Sequence, residues 1–123
     1  MTHRILIVDD EPNIVMSVEY LLKKEGFETD TASDGDMAIE KVRSFNPQLV
    51  LLDVMMPKKS GFEVCEVLRA DASLSSLKII MLTAKGRDTE QAKGIALGAD
   101  AYMLKPFSTK DLVTKIREIL ANG

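Results

Sequence analysis

The chain alternates five short apolar segments with five segments of helical periodicity, and this alternation restricts its fold more than any other feature. The apolar segments, each of strand length, are residues 4–8, 27–32, 49–53, 78–83 and 101–105. Between them, apolar side chains recur at the three- and four-residue spacing of amphipathic helices. Strands that alternate with helices predict an α/β fold in which right-handed crossovers cover both faces of a parallel sheet. The second segment alternates apolar and polar residues, so we expect it at a sheet edge.

Length and composition fit one domain over residues 1–123. The net charge is −3, and a mildly acidic chain argues against a nucleic-acid-binding surface. No apolar stretch reaches the roughly 18 residues that a membrane span needs, and the start does not resemble a signal peptide. The one cysteine, Cys65, cannot form an internal disulfide, and its helical spacing favours a core position over a catalytic thiol. We therefore expect a cytoplasmic protein.

Polar residues end four of the five apolar segments, namely Asp9 with Asp10, Asp53, Thr83 and Lys105. Taken singly, each has an ordinary alternative: the first two acids could cap a helix, and the others could be a loop acid, a strand threonine and a surface lysine. The carboxyl ends of parallel strands, however, share one edge of the sheet, where open α/β sheets bind ligands. We therefore expect these side chains to converge.

Three converging carboxylates need a counter-charge. Two carboxylates about 4 Å apart repel by roughly 4 kcal/mol at an effective dielectric constant of 20, and one lysine cannot neutralise three acids. A divalent cation can, and all-oxygen ligands favour Mg²⁺, with Mn²⁺ as a substitute. The lysine and the hydroxyl suit phosphoryl oxygens. The residues thus predict metal-assisted phosphoryl transfer, with Asp53 as a candidate nucleophile that forms an aspartyl phosphate.

Four segments also carry a family resemblance: "ILIVDDEP", "LVLLDVMMPKKSGFEV", "IIMLTAKG" and "GADAYMLKPF". In this order and over the whole chain, they resemble the receiver domain of bacterial two-component response regulators. The resemblance implies a doubly wound, flavodoxin-like (βα)5 sheet with strand order 2-1-3-4-5. It implies a signalling switch rather than an enzyme, in which Mg²⁺-dependent phosphorylation changes the surface of helix 4, strand 5 and helix 5 and so regulates a partner or a fused output domain.

The resemblance also assigns the metal ligands and the phosphoacceptor. Asp53 would accept the phosphoryl group and ligate Mg²⁺. Asp10 would ligate the ion directly, Asp9 partly through water, and Met55 through its backbone carbonyl.

Further roles implied by the resemblance concern the phosphoryl oxygens and the switch. Thr83, the backbone N–H of Ala84, and Lys105 would bind phosphoryl oxygens, and the Lys105–Pro106 bond resembles the family's cis peptide. Tyr102 matches the aromatic residue that turns inward when Thr83 moves, with a half-buried packing tyrosine as the alternative.

Partners follow from the position of the only histidine. His3 lies before the first strand, about six extended residues or roughly 20 Å from Asp9, so the phosphoryl group should come from a histidine kinase or a phosphotransfer protein. We expect no direct contact of this domain with nucleic acid or membrane. A phosphorylation-dependent dimer stays open, although Ala101 stands where many receivers carry an acid. An apolar patch around Leu97 and Tyr102 could meet another partner or pack on itself.

The main alternative function is a phosphohydrolase that works through an aspartyl phosphate. Such enzymes commonly carry an acid two residues after the nucleophile, where Met55 has no proton to donate. The chain also lacks a P-loop motif and the Ser/Thr/Gly-rich phosphate loop of a flavodoxin-like cofactor binder.

We expect Met55 and Lys85 to border the path of the water that attacks the phosphorylated aspartate. The last helix ends close to the end of the sequence, so both a single-domain regulator and a receiver from a larger protein stay open.

Three of the seven glycines, Gly86, Gly94 and Gly98, lie in or beside the fourth helical segment. Because an interior glycine costs about 1 kcal/mol relative to alanine, we predict that the helix over residues 86–97 is the compliant part of the output face. The alternative is that these glycines serve only turns and tight packing.

Overall fold

The structure, a computed structural model, describes residues 3–56, 58–84 and 88–121. The strands are β1 (Arg4–Val8), β2 (Glu28–Ala32), β3 (Leu49–Asp53), β4 (Lys78–Ala84) and β5 (Ala101–Lys105). The helices are α1 (Pro12–Lys24), α2 (Gly35–Phe45), α3 (Gly61–Ala70), α4 (Asp88–Ala96) and α5 (Thr109–Ala121), with a short 3-10 helix at Ala72–Leu74. All neighbouring strands are parallel, in the order β2-β1-β3-β4-β5. The predicted doubly wound α/β fold, the strand order and the edge position of β2 are confirmed.

The end of α1 explains why β2 begins one residue later than the sequence predicts. Gly26 has a φ of 92°, which favours glycine, and its N–H donates to the carbonyl of Lys23. The N–H of Phe27 donates to the carbonyl of Leu22. Together these bonds form a Schellman motif. Phe27 is therefore part of the helix terminus, and pairing with β1 begins at Glu28.

Hydrogen bonds from side chains define the starts of three further helices. Asp34 accepts the backbone N–H of Met37 at 2.8 Å and caps α2. A reciprocal capping box between Ser60 and Glu63 begins α3. The Ser108 hydroxyl accepts the backbone N–H of Asp111 at 3.1 Å and caps α5.

Alternate side chains of the central strands fill two cores, one on each face of the sheet. One core joins the sheet to α2 and α3 and the other joins it to α1 and α5. Every residue of β3 is buried, as expected for a central parallel strand covered on both faces. Cys65 is fully buried in the first of these cores, which confirms its predicted core position.

Within the ranges that the structure describes, no helix combines the length and the apolar character that crossing a bilayer requires.

Candidate functional site

The carboxyl ends of four neighbouring strands bring the predicted side chains to one edge of the sheet. Asp9 directly follows β1, Asp53 ends β3, Thr83 is the penultimate residue of β4, and Lys105 ends β5. Asp9, Asp53 and Thr83 are almost wholly buried, with exposed fractions of 1%, 5% and 2%. Buried polar groups at the end of an apolar strand are costly unless a partner meets them.

Three carboxylates, which we call the acidic trio (Asp9, Asp10 and Asp53), form the centre of this site. One carboxylate oxygen from each lies within 4.8 Å of the others. Asp10, unlike the other two, is exposed, so the trio is open to solvent on one side. Asp9 also accepts the backbone N–H of Glu11 at 3.0 Å, but Glu11 is itself the N-cap residue of α1 and its side chain makes no cap bond. Helix capping therefore does not account for a buried Asp9.

Lys105 reaches into the trio from the end of β5. Its Nζ donates to Asp9 Oδ2 at 2.7 Å and lies 3.4 Å from Asp53 Oδ1 and 3.7 Å from Glu11 Oε1. Burial lowers the pKa of Lys105, but the hydrogen bond to Asp9 and the charges of both buried aspartates outweigh that effect, and the pKa is raised overall. The lysine is therefore held as an ammonium group beside Asp53.

The pKa of Asp53 differs from that of an ordinary aspartate. Burial, and next the negative charge of Asp9, raise the pKa of Asp53 from 3.8 to about 6. The positive charge of Lys105 and, after it, the backbone N–H of Met55 lower the pKa of Asp53 and so act in the opposite direction. At neutral pH Asp53 is therefore a mainly ionised carboxylate held at an energetic cost, which a cation at the site would relieve.

Thr83 brings a hydroxyl group to the same edge. Its Oγ1 is buried and finds no hydrogen-bond partner among the residues that the structure describes. An unpartnered buried hydroxyl costs free energy, so the observation favours a ligand oxygen as its partner. The backbone of Ala84 continues β4 and pairs with that of Lys105, which places it beside the same strand ends.

The β3–α3 loop, described at residues 54–56 and 58–60, lies close against the end of β3. A Cβ at Gly61 would lie 2.3 Å from the carbonyl oxygen of Asp53, and the Gly61 N–H donates to the carbonyl of Val54 at 2.9 Å. This approach requires glycine at the start of α3. The loop carries Met55, whose side chain is 65% exposed.

The charges of the site fit a divalent cation. When all are ionised, the acidic trio and Lys105 together carry two negative charges. Hard divalent cations such as Mg²⁺ and Mn²⁺ take carboxylate oxygens as ligands and keep positions open for water or phosphate oxygens, which the exposed side of the trio allows. The cluster could thus hold a metal ion, and its oxygen donors fit the predicted class of ion.

Other predicted residues lie away from the trio. Tyr102 is in β5 with its side chain 41% exposed, so it does not point inward in this structure. His3 precedes β1, at the opposite edge of the sheet from Asp9. The Lys105–Pro106 bond is cis, as the family resemblance implied. Lys85 lies outside the described residues.

Sequence reasoning missed Glu11, which lies within ion-pair distance of Lys105. Its position directly after Asp10 in the same loop was the only available signal.

Two glycines near α4 have structural roles of their own. Gly98 has a φ of 107°, and a Cβ at Gly94 would lie 3.1 Å from Cγ of Met81. A turn and a close approach to the sheet thus account for these two glycines, while Gly86 lies outside the described residues. Leu97 is partly buried against the core, so it packs on the protein itself.

That α4 is the compliant part of the output face stays a prediction.

Both the sequence and the fold of this chain match known proteins. The sequence model of the response regulator receiver domain matches residues 5–117. The DNA-binding response regulator MtrA of Mycolicibacterium smegmatis is 45% identical over 117 residues, which cover 95% of this chain and 50% of that protein. The alkaline phosphatase synthesis transcriptional regulatory protein PhoP of Bacillus subtilis is 43% identical over 120 residues, which cover 98% of this chain and 49% of that protein. The chain thus spans about half the length of these relatives.

Solved structures share the whole fold. The chemotaxis response regulator CheY4 of Vibrio cholerae superposes with a TM-score of 0.91 at 29% identity, over 97% of this chain and 99% of that chain. The receiver domain of NtrX from Brucella abortus gives a TM-score of 0.90, also at 29% identity, over 97% and 99% of the two chains.

Proposed function

Because the chain belongs to the family of response regulator receiver domains of two-component systems, we propose that Asp53 is its phosphoacceptor. A histidine kinase or a phosphotransfer protein supplies the phosphoryl group as a phosphohistidine. An Asp53 carboxylate oxygen attacks phosphorus, the bond from phosphorus to the donor's imidazole nitrogen breaks, and its electron pair leaves with the imidazole, which takes up a proton. The product is an aspartyl phosphate.

The observation that carries this proposal is the setting of Asp53. It is a buried carboxylate at a strand end, with Asp9 and Asp10 within 4.8 Å and the Lys105 ammonium at 3.4 Å. Each buried charge costs free energy, so a site that served only stability would contain fewer charged groups than this cluster does. It does suit the oxygens of a phosphoryl group.

The remaining side chains take roles that fit their chemistry. The unpartnered hydroxyl of Thr83, the backbone N–H of Ala84 and the ammonium group of Lys105 bind phosphoryl oxygens.

The acidic trio and the backbone carbonyl of Met55 hold Mg²⁺, or Mn²⁺ in its place. When bound, the ion offsets the charge of the carboxylates and of the transferred phosphoryl group.

Phosphorylation regulates through the surface of α4, β5 and α5. Once Thr83 is drawn toward the phosphoryl group, the exposed Tyr102 turns inward and changes this surface for a partner. Relatives named as DNA-binding or transcriptional regulators suggest that the output is transcriptional, through a fused or separate output domain in the cytoplasm, while the receiver itself, residues 1–123, contacts no nucleic acid. A phosphorylation-dependent dimer is one form that this response could take.

The protein acts as a switch and not as a phosphohydrolase with an external substrate. Met55, two residues after Asp53, supplies no general acid. The chain therefore catalyses its own phosphorylation and a slow loss of the phosphoryl group.

Mass spectrometry of the intact protein after treatment with acetyl phosphate tests the proposal. We expect one added phosphoryl group in the presence of Mg²⁺, none in excess EDTA, none in Asp53→Asn, and normal labelling in the control Asp36→Asn, which changes an exposed aspartate of α2. Labelling of Asp53→Asn to the wild-type extent, or an unmodified wild-type protein with Mg²⁺ present, would refute the assignment.

A further inference from the structure

Gly35, the first residue of α2, lies in unusually close contact with the β3–α3 loop. A Cβ on Gly35 would lie 2.4 Å from Cβ of Lys59 and 2.5 Å from the Lys59 carbonyl oxygen. Gly35 is buried, and its backbone is helical, a conformation that any residue adopts. The contact with Lys59, and not the backbone conformation, therefore requires glycine at this position.

Two ion pairs cross the same contact but do not determine it. Lys59 Nζ lies 3.3 Å from Asp36 Oδ1, and Lys58 Nζ lies 3.9 Å from Asp34 Oδ2. The side chains of Lys58 and Lys59 are 63% and 40% exposed, and ion pairs open to solvent contribute little to stability. Lys58 has a φ of 67°, so the loop makes a left-handed turn just before it reaches Gly35. Shape thus fixes the loop more than charge does.

The residue that follows the loop is also held, against Asp53. Gly61 packs against the carbonyl of Asp53, and a Cβ at this position would overlap that carbonyl, as a Cβ at Gly35 would overlap Lys59. The end of the loop next to α3 is therefore held by two neighbouring contacts, Lys59 on Gly35 and Gly61 on Asp53. Met55 lies between Asp53, which ends β3, and Lys59 in the chain, and its backbone N–H lowers the pKa of Asp53.

We propose that Gly35 is a positioning residue for the metal and phosphoryl site, although it touches neither. By admitting Lys59 against the start of α2, Gly35 fixes the loop that carries Met55. It thereby fixes the backbone of Met55, including the carbonyl assigned to the metal. The proposal rests on the proposed function, because it concerns the ligand set of that same site. A side chain at position 35 displaces the loop by the overlap at Lys59 and so weakens metal binding.

Binding of Mn²⁺ to the unphosphorylated protein, measured by isothermal titration calorimetry or by electron paramagnetic resonance of the free ion, tests this role. We expect Gly35→Ala to weaken Mn²⁺ binding by about ten-fold, the loss typical of residues that orient a metal ligand. The matched control is Val42→Ala, which removes buried side-chain volume two turns further along α2 and lowers stability away from the contact between Gly35 and Lys59. It should bind Mn²⁺ within about two-fold of the wild-type protein.

Gly35→Ala that binds Mn²⁺ as tightly as the wild-type protein would overturn this proposal alone. An equal loss in Val42→Ala would overturn it too, because general destabilisation would then explain both variants. No Mn²⁺ binding by the wild-type protein would overturn the metal role in the proposed function and this proposal with it.

Should Gly35→Ala not fold, Lys59→Gly tests the same contact from the loop side. It removes the Cβ that packs on Gly35 and frees the loop backbone. We expect weaker Mn²⁺ binding and faster hydrogen exchange at the Met55 amide, and an unchanged affinity together with unchanged exchange would overturn the proposal.

Discussion

Replacing Asp53 with asparagine should stabilise the metal-free protein at neutral pH. Burial and the charge of Asp9 raise the pKa of Asp53 from 3.8 to about 6 in the folded protein. An acid whose pKa is higher when folded binds more protons in the folded state between pH 4 and 6, so stability falls as pH rises through that window. At about 1.4 kcal/mol for each pKa unit, ionisation of Asp53 costs ~3 kcal/mol of the free energy of unfolding at pH 7.

Asparagine keeps the shape of the side chain and removes its charge. Lys105 loses the pair at 3.4 Å but keeps its shorter hydrogen bond to Asp9 at 2.7 Å, so the lysine is not left unpaired. We therefore expect Asp53→Asn to raise the free energy of unfolding by about 2–3 kcal/mol at pH 7. Near pH 4 most of that gain should be gone, because Asp53 of the folded wild-type protein is then protonated.

Urea denaturation in EDTA at pH 7.5 and at pH 4 measures both values. The control is Glu66→Gln, which removes an exposed carboxylate from α3 and should change stability by less than about 0.5 kcal/mol at either pH. Mg²⁺ at about 100 times its Kd should stabilise the wild-type protein by about 2.7 kcal/mol and Asp53→Asn by less. The reasoning fails if Asp53→Asn is no more stable than the wild-type protein at pH 7.5, or if its gain is the same at both pH values.

Three further predictions concern the lifetime of the phosphorylated state, the packing of the fold and the response to phosphorylation. Met55→Ala should change the dephosphorylation rate more than stability, because the side chain is 65% exposed beside the site; an unchanged rate of label loss from purified phosphoprotein would contradict this. Arg69→Met should cost about 2–4 kcal/mol in urea denaturation, because Arg69 donates to Asp100 at 2.8 Å and to several loop carbonyls that would lose their partner; a cost below about 1 kcal/mol would contradict it. Amide hydrogen exchange over residues 86–97 should differ between the phosphorylated and free forms, and equal protection would count against a compliant helix.

The sequence predicted the sheet well because its signals are local. The run of apolar residues before Asp53 has no polar alternation, which predicts a strand covered on both faces, and β3 is buried throughout. The one-residue error at β2 arose because Phe27 is apolar in either setting, and only the helix-terminal hydrogen bond to Leu22 separates the two.

Contacts between distant parts of the chain were not available from the sequence. Gly35 gave no sign that its neighbour would be Lys59, and Arg69 gave none that it would bond Asp100. Glycine and arginine occur in many structural settings. A contact between residues more than twenty positions apart in the sequence produces no periodic pattern from which it could be predicted.

Sequence alone determined which chemical groups meet at the sheet edge. Acids, a hydroxyl and a lysine that each end a strand of one parallel sheet must lie on the same side of it, whatever the details of packing. The tertiary structure decided what state those groups are in. It leaves Asp53 almost without water, Thr83 without a partner among the described residues, and Lys105 bonded to Asp9. The reason is that burial and distance set the energy of a charge, and both depend on how the helices and loops close around the strand ends.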